Sequence, residues 1–344
     1  MKRKTIIILI IVGVLFVLGA VAGSLFFGSK THNTTPIRIY IPEGTSQEAL
    51  VDTLQSLGIL EEGLNTKIFN SQFSILNSKV RAGSYVVEPC SKSFTLVRRF
   101  RNGQQDPVRL TIGKFRTPQQ LNEYLNSKLM CDDFDISLDS FYLIRPNTYE
   151  FYWTVTPEQF MQRMKKEYEI FWSARECKGV QGSAGTIDQT ETIVLHSPAL
   201  HGTPCTPKEI IILASIVEEE SNYNPEKPLI ASVYLNRLRR GMPLQADPTV
   251  KYAVGDFTLQ RILNRHLTTE SPFNTYLHTG LPPAPICLPS DASVEAVVNA
   301  PETEYLYFCA SEKMDGTHRF AASLAEHNRN AAAFHHVLNA RGIR

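Results

Sequence analysis

Three consecutive glutamates, Glu218, Glu219 and Glu220, close a stretch at residues 206–221 that reads TPKEIIILASIVEEES. A carboxyl serves as a general acid or base when its surroundings bring its pKa toward the working pH. On a helix advancing about 100° per residue, Ile210, Leu213, Ile216 and Val217 cluster on one side, and Glu220 falls within about 40° of the middle of that stripe. Glu218 and Glu219 each lie more than about 120° away and are expected to face out. A carboxyl half sunk in apolar surroundings has its charged form disfavoured, so its pKa rises. Glu220 is therefore the candidate general acid, and a solvated acidic helix end is the plainer alternative. No C-x-x-C or H-E-x-x-H motif occurs, and His278, His318 and His327 are scattered, so a metal site is not expected.

The elements around that acid are well marked. Thr206 with Glu209 three places on makes a capping box, and Pro207 takes the first helical position, where its missing N–H is harmless. Residues 228–240, PLIASVYLNRLRR, read as a second helix with Ile230, Val233, Tyr234 and Leu238 on its apolar face, ended by Gly241. Residues 244–252, 271–276 and 280–286 follow as rigid loops, with prolines fixing the backbone between amide and hydroxyl groups. A groove for a polar polymer would be built this way, as would an irregular connection. A helix near 293–299, a strand near 305–310 leading to Thr317-His318-Arg319-Phe320, and an alanine-rich helix over 323–340 complete the pattern.

Upstream, 344 residues leave room for two domains, and 43% apolar with 20% charged residues is the composition of an ordinary globular chain. A net charge of +1, with no basic stripe, gives no electrostatic case for nucleic acid. Lys2, Arg3 and Lys4 precede an uncharged apolar run over 6–28, long enough to cross a bilayer, with the basic flank left in the cytoplasm. Ala20-Val21-Ala22 would suit a cleaved signal peptide, but Leu25, Phe26 and Phe27 prolong the run, which favours a retained anchor. A polar linker, 29–36, leads into a β-α-α-β-α-β order over 37–112, a small α+β module. Helices are expected at 117–130 and 157–172. The aromatic segment 141–153 is either core or the lining of a sugar groove. Residues 177–205 read as a long surface loop that a Cys177–Cys205 bridge could staple, although six cysteines leave the pairing open.

The motifs ILASIVEEES, SVYLNRLRRGMPLQADPTVKYAVG, SPFNTYLHTGLPPAPI, EYLYFCA and HRFAASLAEHNRN, with RAGSY and RPNTYEFYW upstream, resemble those of the MltG (YceG-like) family of membrane-anchored endolytic murein transglycosylases, in family order and at near-family spacing. The resemblance implies an α+β chain: residues 1–5 in the cytoplasm, a transmembrane anchor over 6–28, a linker over 29–36, a LysM-like subdomain over 37–115 and a catalytic domain over 116–344. It implies a single-pass protein of the cell (inner) membrane with its catalytic domain on the periplasmic, extracytoplasmic side. The family's E-x-E-[TS] pattern selects Glu220 before Ser221, in agreement with the helical angles. Two features depart from the family: Pro146-Asn147-Thr148-Tyr149 stands for its usual Pro-Asp-Thr-Tyr, and the 177–205 segment is longer than usual.

The implied reaction cuts peptidoglycan between N-acetylmuramic acid and N-acetylglucosamine. Glycosidases commonly use two carboxyls. A lytic enzyme needs one, which protonates the leaving oxygen and then takes the proton of the muramic acid 6-hydroxyl as that hydroxyl attacks C1, leaving a 1,6-anhydro end. Gln245, Asp247, Thr249, Asn274, Thr275 and Tyr276 are the expected substrate-binding residues, with His318 and Asn328 as braces. No cofactor is implied, and the implied partners are glycan strands, the lipid bilayer and cell-wall synthases. Two other readings stay open: a noncatalytic wall-binding or divisome scaffold, and a hydrolytic muramidase with Asp247 as second carboxylate.

Overall fold

A computed structural model of the chain describes residues 2–75, 79–179, 206–259 and 261–341. The mixed α and β chain divides into two compact units, one of Met1–Leu110, Lys128–Asp132 and Tyr149–Thr156, the other of Thr111–Ser127, Asp133–Thr148 and Pro157–Arg344.

The first unit begins with α1 (Lys2–Gly28), which is long and apolar enough to cross a membrane by length and composition. Strand β1 (Ile37–Ile41) pairs antiparallel with β2 (Gly83–Val87), Ile39 opposite Tyr85. Between them lie α2 (Gln47–Ser56), capped by the Ser46 hydroxyl accepting from the Ala49 amide at 3.1 Å, and α3 (Leu64–Ile75). The helix α4 (Ser93–Asn102) follows and ends on Gly103 at φ 64°, a left-handed position that glycine fills without strain. Strand alternation turns Ile39, Ile41, Tyr85 and Val87 inward onto Leu50, Leu54, Phe69, Phe73, Leu96 and Phe100. The segment expected to be a linker differs: Ser29, Thr31 and Asn33 are buried, and Thr31 and Ser93 donate backbone hydrogen bonds to Ser91 and Ser29. Folded material therefore starts at the end of α1 itself, where Gln72 donates to the Phe26 carbonyl at 2.6 Å and the Phe27 ring meets Phe94.

Strand β3 (Val108–Ile112) pairs with β4 (Asn147–Phe151), and α5 (Pro118–Lys128) and α6 (Leu138–Phe141) lie between them in sequence. The aromatic segment divides. Phe141, Tyr149 and Phe151 are buried, whereas Tyr152 is exposed and Trp153 half-buried. The helix α7 (Pro157–Gly179) runs past its expected end near Trp172. The loop beyond it and any Cys177–Cys205 bridge lie outside the described residues.

The second unit is built around α8 (Pro207–Glu220), against which α9 (Lys227–Arg239), α10 (Asp247–Val254) and α12 (Asp291–Val298) pack. All eight residues from Ile210 to Val217 are buried, so α8 is apolar on every side and not along one stripe. Residues 244–252, expected as loop, contain α10: Pro248 falls in its first turn, where proline is tolerated, and Gly255 closes it at φ 76°. A one-turn α11 (Asn264–Leu267) comes before α12. The strands β5 (Tyr307–Ala310) and β6 (His318–Ala321) form an antiparallel hairpin, and α13 (Leu324–Ala340) packs on it.

Candidate active site

The capping box forms as expected: the Glu209 amide donates to the Thr206 hydroxyl at 3.3 Å, and the Thr206 amide donates back to Glu209 Oε2 at 2.7 Å. At the other end α8 stops at once, because Ser221 is extended (φ −145°, ψ 135°). Three carboxyls thus share the last turn, where the negative end of the helix dipole disfavours further negative charge. Each meets this cost differently.

Glu218 and Glu219 do not face solvent, contrary to the helical angles. The helices α9, α10 and α12 pack on α8, and both carboxyls are enclosed by groups from outside it. Glu218 Oε2 accepts from Lys227 Nζ at 3.0 Å, from the Ser290 hydroxyl at 2.6 Å and from the Ser293 hydroxyl. Burial pushes the Glu218 pKa up, but the two serines and Lys227 outweigh it and hold the group below the ordinary carboxylate value. Glu219, its side chain 11% exposed, pairs with Lys114 at 2.8 Å and Arg116 at 3.1 Å.

Among the described residues no cation pairs with Glu220. Its hydrogen-bond partner is a neutral phenol, Tyr234 on α9, whose hydroxyl donates to Oε1. The side chain keeps some surface open while the carboxyl lies deep enough for desolvation to dominate. Burial lifts the pKa to about 7, against the Tyr234 hydrogen bond and with help from the charges of Asp247 and Glu219. One of three adjacent carboxyls therefore titrates near neutrality, where its acid form can give a proton and its ionised form can take one.

Of the residues expected on the substrate, Gln245 and Asp247 are exposed and Tyr276 is half-buried. Asp247 opens α10 and accepts the Tyr276 hydroxyl at 2.7 Å. Gln245 holds a left-handed φ of 52°, costly for a residue with a Cβ. That conformation is fixed from two sides, by its amide donating to the Thr275 carbonyl at 3.1 Å and by Arg237 donating to its side-chain oxygen at 3.2 Å. Thr249, Asn274 and Thr275 are buried, and their polar groups bind one another and the backbone. The Thr249 and Thr275 hydroxyls lie 2.8 Å apart, and Asn274 Nδ2 donates to the Leu267 and Thr269 carbonyls at 2.9 Å each. These three side chains fasten the loop that carries Tyr276. His318 binds Glu226 through Nδ1 at 2.9 Å and its amide at 3.0 Å, tying β6 to the turn after α8, while Asn328 is exposed. Among the described residues no three His, Cys, Asp or Glu side chains converge as metal ligands would.

Residues 39–333 match the sequence model of the YceG-like family. The chain belongs to the YceG-like family. It is 28% identical to the endolytic murein transglycosylase of Bacillus subtilis (strain 168) over 332 residues, covering 93% of this chain and 90% of that protein. It is 25% identical over 324 residues to the endolytic murein transglycosylase of Streptococcus pneumoniae strain R6, covering 86% of this chain and 58% of that longer protein. The crystal structure of a YceG-like protein from Listeria monocytogenes superposes with a TM-score of 0.50 at 25% identity, covering 86% of this chain and 99% of that one.

In this YceG-like chain, sequence reasoning missed the partners that sort the three acids. Tyr234 read as one more apolar residue, although a buried tyrosine hydroxyl needs a partner and that requirement was a usable signal. Lys114, Arg116, Ser290 and Ser293 carried none, because they reach α8 across 72 to 104 residues of chain.

Proposed function

We propose that this chain is an endolytic murein transglycosylase, with Glu220 as its single acid and base. It cuts glycan strands between N-acetylmuramic acid and N-acetylglucosamine and leaves 1,6-anhydro ends. Glu220 protonates the leaving oxygen. The carboxylate then takes the proton of the muramic 6-hydroxyl as that oxygen bonds to C1, and water is not consumed. Gln245, Asp247 and Tyr276 contact the acetamido and hydroxyl groups of the strand, and Thr249, Asn274 and Thr275 hold the loops in place. Residues 37–115 form a LysM-like subdomain and 116–344 the catalytic domain. The helix over 6–28 anchors the chain once in the membrane, with 1–5 in the cytoplasm and the remainder outside, where nascent strands and their synthases are found.

The observation that carries this reading is the sorting of three neighbouring glutamates, two paired with cations and one that, among the described residues, has a tyrosine hydroxyl as its sole partner. The test is product analysis on purified peptidoglycan. The wild-type chain is expected to release anhydro-muramyl ends, Glu220→Gln to release none, and Asp247→Asn to keep measurable activity. Reducing ends would decide for a hydrolytic muramidase with Asp247 as its second carboxylate, and no cleavage at all for a scaffold.

A further inference from the structure

Tyr234 stands out because the fold fixes its hydroxyl far more firmly than packing a ring requires. The side chain is buried, and Phe308 meets it edge to face at 5.8 Å between ring centroids. Its neighbours on α9 are bolted to one short segment. Ser232 shares a 2.7 Å hydrogen bond with Thr303, Asn236 donates to the Thr303 and Tyr305 carbonyls at 2.8 and 2.9 Å, and Arg237 Nε donates to the Leu306 carbonyl at 2.7 Å. The hydroxyl so held ends on Glu220 Oε1, and the described residues give Oε2 no hydrogen bond. We propose that Tyr234 is a positioning residue for the Glu220 proton: by occupying Oε1 it leaves Oε2 as the one oxygen that gives the proton to the leaving group and takes it back.

The inference rests on the acid and base role proposed for Glu220 and adds a reason why that role needs a phenol. With Oε1 accepting from Tyr234, a proton on Oε1 would meet the tyrosine hydrogen, so the carboxyl hydrogen resides on Oε2. In the first half-reaction it passes from Oε2 to the glycosidic oxygen as the C1–O bond breaks. In the second, the 6-hydroxyl oxygen bonds to C1 and its hydrogen goes to Oε2. Tyr234 keeps its own proton throughout, since burial and the adjacent Glu220 push its pKa well above the ordinary tyrosine value. An acid that must next be a base needs its two forms close in free energy. Burial, Asp247 on α10 and Glu219 on α8 favour the acid, and the Tyr234 bond from α9 favours the carboxylate. Tyr276 and Arg237 adjoin the tyrosine with opposite effects on it. A cation in that place would hold the group ionised, as Lys227 helps to do for Glu218.

The decisive comparison is wild type against Tyr234→Phe in the full chain, since phenylalanine keeps the ring and its contact with Phe308. Loss of the proton's aim is expected to lower kcat for anhydro-muramyl release by about tenfold or more while KM changes by less than about twofold. The basic limb of the kcat profile should move to higher pH, because the bond that favoured the carboxylate is gone. Infrared difference spectra blanked with Glu220→Gln read the same carboxyl directly and should show its titration shifted the same way. A purely packing role would lower Tm and leave both the limb and the carboxyl band in place, and that result overturns the proposal. Should wild type yield no anhydro ends, the reading of Glu220 falls separately, and the band still decides whether Tyr234 sets this carboxyl: moved supports the inference, unmoved overturns it.

Discussion

A carboxyl with a pKa of about 7 is mostly protonated below that value and mostly ionised above it, so the role proposed for Glu220 ties the pH profile of the reaction to this residue. Lytic activity is expected to hold on the acid side of neutrality and to fall as pH rises through about 7, since ionised Glu220 cannot protonate a leaving oxygen. Asp247 offers an independent handle on that limb. Its negative charge raises the Glu220 pKa, so Asp247→Asn should move the limb to lower pH, opposite in sign to the shift expected for Tyr234→Phe. Initial rates of anhydro-end release between pH 5 and 9 would measure it, and a limb that stays in place would show that Asp247 does not act on Glu220. At this scale the burial of the Glu220 carboxyl was legible in the helical angles, but for a partly mistaken reason. The angles assumed a helix with one apolar face, whereas α8 is enclosed, and what singles out Glu220 is its lack of a cation.

At the scale of elements, α8 is a buried helix whose last turn would be untenable without compensating charge from its neighbours. Lys227 is the critical partner: its side chain is 4% exposed, it opens α9, and it binds a Glu218 side chain that is 13% exposed. Removing one member of a buried pair leaves the other charge unmatched in a poor solvent for ions. Lys227→Met is therefore expected to cost about 3 kcal/mol. Adding Glu218→Gln should recover part of the loss, because the stranded carboxylate is then gone, and thermal melts of both variants at pH 7 would measure the two steps. The sign with pH follows from the depressed Glu218 pKa. The stabilisation is present above the ordinary carboxylate value and is lost as pH falls through the lower value the fold imposes. Boundaries of elements were legible wherever local chemistry sets them, as at the Thr206 box, the Ser46 cap and Gly103. The helix α10 was not, because Asp247-Pro248 at its start reads equally well as a turn until Gly255 is recognised as its end.

For the whole molecule, the question is how the membrane-length helix joins the folded chain. Residues 29–36 are small and polar and read as a tether, yet composition says nothing of what their backbone meets. In the structure the Thr31 amide reaches the Ser91 carbonyl at 2.9 Å and the His32 amide the Ile59 carbonyl at 3.0 Å. Ser93 donates to the Ser29 carbonyl at 2.9 Å, and Asn33 Nδ2 to the Val87 carbonyl at 2.9 Å. At roughly 1 kcal/mol net for each bond, these four contacts together stabilise the first unit on the order of 4 kcal/mol. Two truncations then separate anchoring from folding. A chain beginning at Gly28 should lose its flotation with phospholipid vesicles while keeping glycan cleavage, and its Tm should fall only slightly, because besides the apolar helix it loses the Phe26 carbonyl that accepts from Gln72 at 2.6 Å and the Phe27 ring that meets Phe94. A chain beginning at Ile37 should melt several degrees lower, since those hydrogen bonds go with the deleted residues. Equal melting of the two would mean that 29–36 is a tether after all, and full-length protein that fails to float would remove the case for an anchor. The cell's own processing can be read in the same experiment. A mature N-terminus at Gly23, found by mass spectrometry, would identify a signal peptide cut after Ala22, and an intact Lys2–Gly28 segment would identify the retained helix that Leu25, Phe26 and Phe27 favour.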